Sequence, residues 1–477
     1  MNLLNKIQHR YTLLASLLLL HGTSCKKLVE VNPPITSINS ENVWSSDATA
    51  ISVLTGIYTD ISRWGILSIG RITSLSVFPG LSADEFTLFE GSPNQAYNAY
   101  FKNSLSTSTG GYEYWSNIYP LIFKCNTAIE GLSSSTSLSP AIRQQLLGEA
   151  KFLRAFFYFY LLNLYGDAPL ALTSDYTENS TLSRVPKSQL YQQITLDLTD
   201  AQNLLADGYI SGDGISTTEE RVRPNKWAAT ALLARVFLYT GEYAKAELQA
   251  TDLINNTSQY GLESLDNVFL KNSKEAIWQL QPVNTGRNTE EGWAFILPST
   301  GPNNSRPLYL STSLLQNFEV DDQRLASWVN SITVNGNIFH YPYKYKSAVL
   351  NDPVTEYSTV LRLAEQYLIR SEARAQLDKI PDSVEDLNLI RTRAGLLGTT
   401  ANTKETILKE ILHEKQVELF SEWGHRWLDL KRTSMIDEIM STETALKGGV
   451  WNTNWQRYPI PPTDIATNPN MVQNEGY

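Results

Sequence analysis

The residues best placed to do acid–base chemistry crowd one stretch. Glu418, Glu422, His425, Arg426, Asp429 and Arg432 put carboxylates, an imidazole and guanidinium groups within residues 418–432. Proton transfer needs such groups, but the spacing argues for a different role. Glu418–Glu422, Glu422–Arg426, Arg426–Asp429 and Asp429–Arg432 are three or four apart, so on a helix they share one side and alternate in sign. The expectation is a structural ion-pair ladder, with Arg370 and Glu372 in a similar role. Beyond residue 24 the histidines are His340, His413 and His425, and His413-Glu414 lacks the second histidine of a zinc-protease helix. Neither a Gly-x-Ser-x-Gly elbow nor a phosphate-binding Gly-x-x-x-x-Gly-Lys loop is present. The acid pairs Asp84-Glu85, Glu290-Glu291 and Asp321-Asp322 are the raw material of a glycosidase, yet adjacent loop acids ordinarily cap helices, pair or stay solvated. No catalytic residue, no metal site and no cofactor is assigned.

The elements that must hold any site are helical. The chain has 477 residues, with 42 % apolar and 18 % charged residues, which excludes wholesale disorder. Acids outnumber bases 49 to 39 and no basic stripe stands out, so nucleic acid is not an expected partner. Two cysteines exclude a disulfide scaffold and a Cys-built zinc site. Residues 1–24 read as a secretory leader: Lys6 and Arg10, the apolar run Leu13–Leu20, then Gly22-Thr23-Ser24 before Cys25. A small-residue stretch ending in cysteine is the pattern of lipoprotein processing, so Cys25 is the expected lipidation site. Residues 25–44, with Pro33-Pro34, read as a tether to a single domain over 45–477. Cys125, in an apolar helical stretch, reads as a buried, inert thiol.

Three- and four-residue apolar spacing predicts helices over 112–133, 142–165, 186–206, 225–240, 243–256, 357–377, 383–395 and 403–434. Small residues such as Ala228, Ala229, Ala231 and Ala234, then Ala246 and Ala250 beyond Gly241, suit antiparallel pairs that approach closely. The fold class is therefore all-α, a tetratricopeptide-like stack of helical pairs with irregular spacing between copies. Short β-like pieces occur at 275–283 and 331–339. Two stretches, 80–111 and 282–356, resist a helical reading, and long irregular segments in a helical scaffold are usually functional.

Several segments, taken in order, resemble the SusD/RagB family of outer-membrane nutrient-binding lipoproteins. They are the aromatic run Phe156-Phe157-Tyr158-Phe159-Tyr160 leading to Gly166-Asp167-Ala168-Pro169, Arg184-Val185-Pro186, the Asp322–Arg324 pair, Arg362–Ala373, Asn388–Gly395 and Glu418–Arg432. The ending Tyr458-Pro459-Ile460-Pro461-Pro462, Asn468-Pro469-Asn470 and Gln473–Tyr477 completes the pattern. Departures are small: Leu428 where a second tryptophan is frequent, and Glu475 where proline is common. The resemblance implies a surface lipoprotein of the outer membrane that captures oligosaccharides without chemistry. It also implies a SusC-like TonB-dependent transporter as partner. Alternatives are a peptide-binding member of the same family, a helical glycoside hydrolase and a protein-only repeat adaptor.

For a sugar ligand, flat aromatic rings cover the C–H faces while polar side chains hydrogen-bond the hydroxyl rim. Segment 84–100 offers Phe86, Phe89, Asn94, Tyr97 and Tyr100. Segment 287–309 offers Arg287, Asn288, Trp293, Asn303, Asn304, Arg306 and Tyr309. The expected ligand-binding set is Phe89, Asn94, Tyr97, Arg287, Trp293, Asn304 and Tyr309, with Trp293 as anchor because Gly292 and its polar context argue for a loop.

Overall fold

The helical periodicity is realised in the computed structural model, which describes residues 43–477. The leader, Cys25 and the tether up to residue 42 lie outside the described residues. The main helices are α1 (Asp47–Ser62), α2 (Glu113–Ser134), α3 (Pro140–Tyr165), α4 (Lys187–Leu204), α5 (Lys226–Tyr239) and α6 (Tyr243–Ile254). After a long loop-rich interval come α7 (Leu363–Gln376), α8 (Ile380–Arg393), α9 (Lys404–Leu419), α10 (His425–Arg432) and α11 (Ile436–Leu446). From α2 to α8 each helix packs on the next in chain order, the stacking expected of helical-pair repeats.

Local chemistry explains the pairs. Asn225 caps α5, its side chain accepting from the Trp227 and Ala228 amides. Four buried alanines on α5 and two on α6 bring the backbones together, and Gly241, at φ +75°, reverses the chain between them. Apart from Arg154, which pairs with Asp197 at 2.7 Å, helix α3 is apolar on every side from Phe152 to Leu162 and is buried there throughout, as an all-round hydrophobic helix must be. Phe152 and Phe156 meet the Trp278 ring edge-on at 5.1 and 5.2 Å. Cys125 is buried, and burial pushes its thiol up. Among the described residues no helix is long and apolar enough to cross a membrane.

The strands are few, short and antiparallel. β1 (Phe86–Leu88) pairs with β3 (Leu308–Leu310), β2 (Ala276–Leu280) with β6 (Ser358–Arg362), and β4 (Val329–Val334) forms a hairpin with β5 (Asn337–Pro342). The β-like pieces at 275–283 and 331–339 thus become β2 and the hairpin. The region expected as helix from 357 opens instead as β6, because Ser358–Arg362 pairs with β2, and turns helical only at Leu363. Trp44, expected at the end of the tether, packs on the core beside Gly131.

The largest difference falls on 403–434. One helix was expected; the chain breaks between α9 and α10, with Ser421, Trp423 and Gly424 in left-handed conformations. The break turns Trp423 into the core, where its indole donates to the Thr359 carbonyl at 2.8 Å and its amide to Ser76 Oγ at 3.1 Å. The ladder along one helix side is therefore absent except for Asp429–Arg432. Its other members pair with distant segments. Glu418 accepts from Arg362 at 2.6 Å, Arg324 at 2.9 Å and also Arg393. Glu422 meets Arg362 at 2.7 Å and Lys344 at 2.5 Å, and Arg426 forks onto Asp84 with a shortest contact of 2.6 Å. Glu372 accepts from Lys415 and Arg432, and Arg370 pairs with Asp386.

Burial alone would raise the Glu418 carboxyl, but the charges of Arg393, Arg362 and Arg324 override it and hold the group well below the usual carboxylate range. The unfolded chain, with a glutamate near ~4.3, then takes up the proton first as pH falls. The stability Glu418 contributes is complete above about pH 4.3 and is lost as pH falls toward the folded value. Glu418→Gln is expected to cost about 3–5 kcal/mol by stranding buried guanidinium groups, read as a lower urea midpoint at unchanged slope. Glu85 behaves oppositely: burial, then the charge of Asp84, raises its carboxyl to about 8. Here the folded state keeps a proton that the unfolded chain releases, so stability declines between about pH 4.3 and pH 8. Glu85→Gln is expected to raise the urea midpoint more at pH 8 than at pH 5.

Candidate functional site

The two irregular stretches meet through the β1–β3 ladder, which sets Thr87 opposite Tyr309. Just beyond it the Phe89 amide donates to the Pro307 carbonyl at 2.7 Å. Phe89 is half-buried with its ring folded over Gly91, and Tyr309, also half-buried, packs edge-on against Phe339 at 5.2 Å. Phe86 and Tyr100 are core residues; Phe86 stacks on Phe295 and Tyr100 packs on Phe78.

Trp293 sits on a short helix, Glu290–Phe295, whose first turn is capped by Thr289 accepting from the Gly292 amide at 3.0 Å. Gly292 is required there: a Cβ would lie 2.4 Å from the Ser347 carbonyl oxygen. The indole is partly exposed, and two guanidinium groups, those of Arg287 and Arg306, each lie 4.5 Å from its ring centroid. Arg287 pairs with Glu290 at 2.6 Å, and Arg306 donates to the Ile296 carbonyl at 2.5 Å. The expected anchor is thus a tryptophan–arginine cluster, not a bare ring.

Several expected ligand residues have structural duties. Asn94 caps the helix Gln95–Phe101, its side chain accepting from the Tyr97 amide. Tyr97 packs its ring on Phe78 and donates its hydroxyl to the Leu67 carbonyl at 2.5 Å. Asn288 is buried and accepts from the Thr355 and Glu356 amides. Asn303 orders its own turn, which leaves Asn304 exposed at the tip.

A second tryptophan, not singled out in the sequence, joins this face. After α1 the chain turns at Trp64-Gly65, and Trp64 is 37 % exposed. The Arg71 guanidinium lies 4.3 Å and that of Arg63 5.2 Å from its ring centroid. Asp60 pairs with Arg63 at 3.7 Å and also with Lys124. Together with Asn117 these groups line a concavity of about 190 Å³. The two clusters are contiguous. Asn284 donates both to the Arg63 carbonyl at 3.0 Å and to Glu290 at 2.7 Å, and a Cβ on Gly65 would stand 3.0 Å from the Glu290 carboxylate. The sequence signal was faint: an Arg-Trp-Gly run closing a helix, with partner residues far along the chain.

The acid pairs are engaged. Asp84 binds Arg426, Glu290 binds Arg287, and Asp322 binds Arg324 at 2.8 Å. Glu291 is buried against Ser358, and burial raises its carboxyl to about 7. Glu319, His413 and Glu414 bring ligand-type atoms together, but both carboxylates are held by Arg391, Glu414 also by Arg324, and His413 Nε2 lies 2.8 Å from the Asn317 carbonyl oxygen.

Comparison with known proteins gives one consistent outcome. Residues 79–238 match a family model described as starch-binding associating with outer membrane, and residues 327–477 match one described as SusD family. The chain is similar to SusD-like protein P2 of Formosa agariphila, at 24 % identity over 94 % of this chain and 91 % of that protein. Its fold matches the crystal structure of a SusD superfamily protein from Bacteroides vulgatus (TM-score 0.77, 20 % identity, 91 % of this chain and 100 % of the other). It also matches surface glycan-binding protein A from Bacteroides uniformis (TM-score 0.73, 20 % identity, 90 % and 99 %). With both matched regions, a near full-length relative and the same helical stack all agreeing, the chain belongs to the SusD family.

Proposed function

We propose that this protein is a glycan-binding lipoprotein of the outer membrane that captures oligosaccharides and delivers them to a SusC-like TonB-dependent transporter, without chemistry of its own. The observation that carries the reading is the pairing of two partly exposed tryptophans, Trp64 and Trp293, on one contiguous face with polar side chains around them. The exposed parts of the two indoles, beside the guanidinium groups that lie over them, suit the C–H faces of sugar rings, and a few such anchors carry most of the affinity of a site. The structural relative from Bacteroides uniformis is named for surface glycan binding, and the model matched by residues 79–238 is named for starch binding at the outer membrane. Cys25 would supply the lipid that holds the domain at the membrane.

Two outcomes follow. Titrated calorimetrically against a broad oligosaccharide panel, the full chain in detergent binds at least one glycan, and Trp64→Ala and Trp293→Ala each weaken that binding about tenfold or more. Released reducing ends in the same samples would make the protein a hydrolase, and binding restricted to peptides would move the ligand class. In cells, Cys25→Ser is expected to abolish incorporation of labelled palmitate and release the protein from the membrane fraction; retention of both would overturn the anchor.

A further inference from the structure

We propose that the joined tryptophan–arginine face takes an anionic glycan, an oligosaccharide carrying carboxylate or sulfate groups. This specification rests on the glycan-binding reading above. The chain as a whole is acidic, with a net charge of −10, yet the face is locally positive. Arg63, Arg71, Lys124, Arg287 and Arg306 stand against the carboxylates of Asp60 and Glu290. Glu90, beside Tyr309, marks the acidic edge of the patch.

Arg71 and Arg306 differ from the arginines of the buried ion network. The buried arginines, such as Arg154, Arg223, Arg235, Arg324 and Arg362, each meet a carboxylate within 3.0 Å. Among the described residues neither Arg71 nor Arg306 has an ion-pair partner; each lies over an indole instead. For both, partial burial and then the neighbouring arginine, Arg63 or Arg287, disfavour the charged form. Each of the two thus stands beside another positive charge with no carboxylate in contact, although the more distant Asp60 partly offsets the charge of Arg71. A bound anion relieves both costs. A guanidinium resting on an aromatic face still presents N–H groups at its edge: Arg306 commits one nitrogen to the Ile296 carbonyl, and the N–H groups that remain on the two arginines suit a carboxylate or sulfate. The concavity of about 190 Å³ between Arg71, Trp64 and Lys124 offers one such place, and the Arg287–Trp293–Arg306 cluster the next. Acidic sugars spaced along one chain would meet both.

The test is a calorimetric titration of the full chain with oligogalacturonate, a sulfated galactan oligosaccharide, and maltooligosaccharide and laminarioligosaccharide of matched length. The expected result is that an anionic probe binds at least about tenfold more tightly than either neutral one, with affinity falling as salt is raised because partly exposed charges are screened. The double variant Arg71→Gln/Arg306→Gln is expected to lose about tenfold for the anionic probe and to flatten the salt dependence, with an unchanged melting curve by circular dichroism. Should that variant misfold, exposed Arg63→Gln reads the same loss. Anionic probes that bind no more tightly than the neutral ones, or variants that keep full affinity, overturn the inference while the glycan reading stands. Absence of binding by either class overturns both.

Discussion

The carboxylate of Glu418 is the point on which the arrangement turns. It is fully buried, and it accepts from three guanidinium groups brought by three separate parts of the chain: Arg324 from the loop-rich interval, Arg362 from the end of β6 and Arg393 from the end of α8. Arg362 in turn reaches Glu275 and Glu422, and Arg324 reaches Asp322 and Glu414. Such a network adds modest net stability over a well-packed apolar core, because every ion in it has been stripped of water. Its effect is on arrangement. A shift of α8, α9 or β6 by one residue would leave charges buried and unpaired, so the network fixes how the loop-rich interval seats on the helical stack.

The proposed face of Trp64 and Trp293 inherits that precision at one remove. Its residues are held by backbone contacts rather than by the ion network itself: Asn284 on Arg63, Tyr97 on Leu67, Asn288 on the chain at 355–356. These hydrogen bonds span long stretches of sequence and hold loops that have little secondary structure of their own. A rigid stack beneath and pinned loops above is the usual way to keep a site in place while its surface is free to vary.

What could be read from the sequence follows the same division. The core helix α3 was legible because its aromatic run admits no exposed side, and the α5–α6 pair because alanine on facing sides permits only close approach. The helix over 403–434 was misjudged because the pull of a tertiary contact, Trp423 entering the core beside Thr359, outweighs helical continuity. Trp64 was missed for a related reason: a single loop tryptophan has no period, and the residues that place it on the Trp293 face, Asn284 and Glu290, are remote in sequence. The loop asparagines carry structural duties that spacing does not reveal. Asn94 and Asn288 serve the backbone, a common role for short amide side chains at helix starts and turns.

The closure of the molecule bears on how it folds. Helical pairs such as α5–α6 are completed by neighbours in sequence, so they can form as soon as both members exist. The contacts that join the early chain to its C-terminal part are different: Asp84 waits for Arg426, Ser82 for Tyr458 and Asn103 for Thr444. Each of these contacts closes a loop of most of the chain, and the entropy of such closure must be met before the contact gives anything back. Contacts of that separation are therefore expected among the last to form, after the helical pairs.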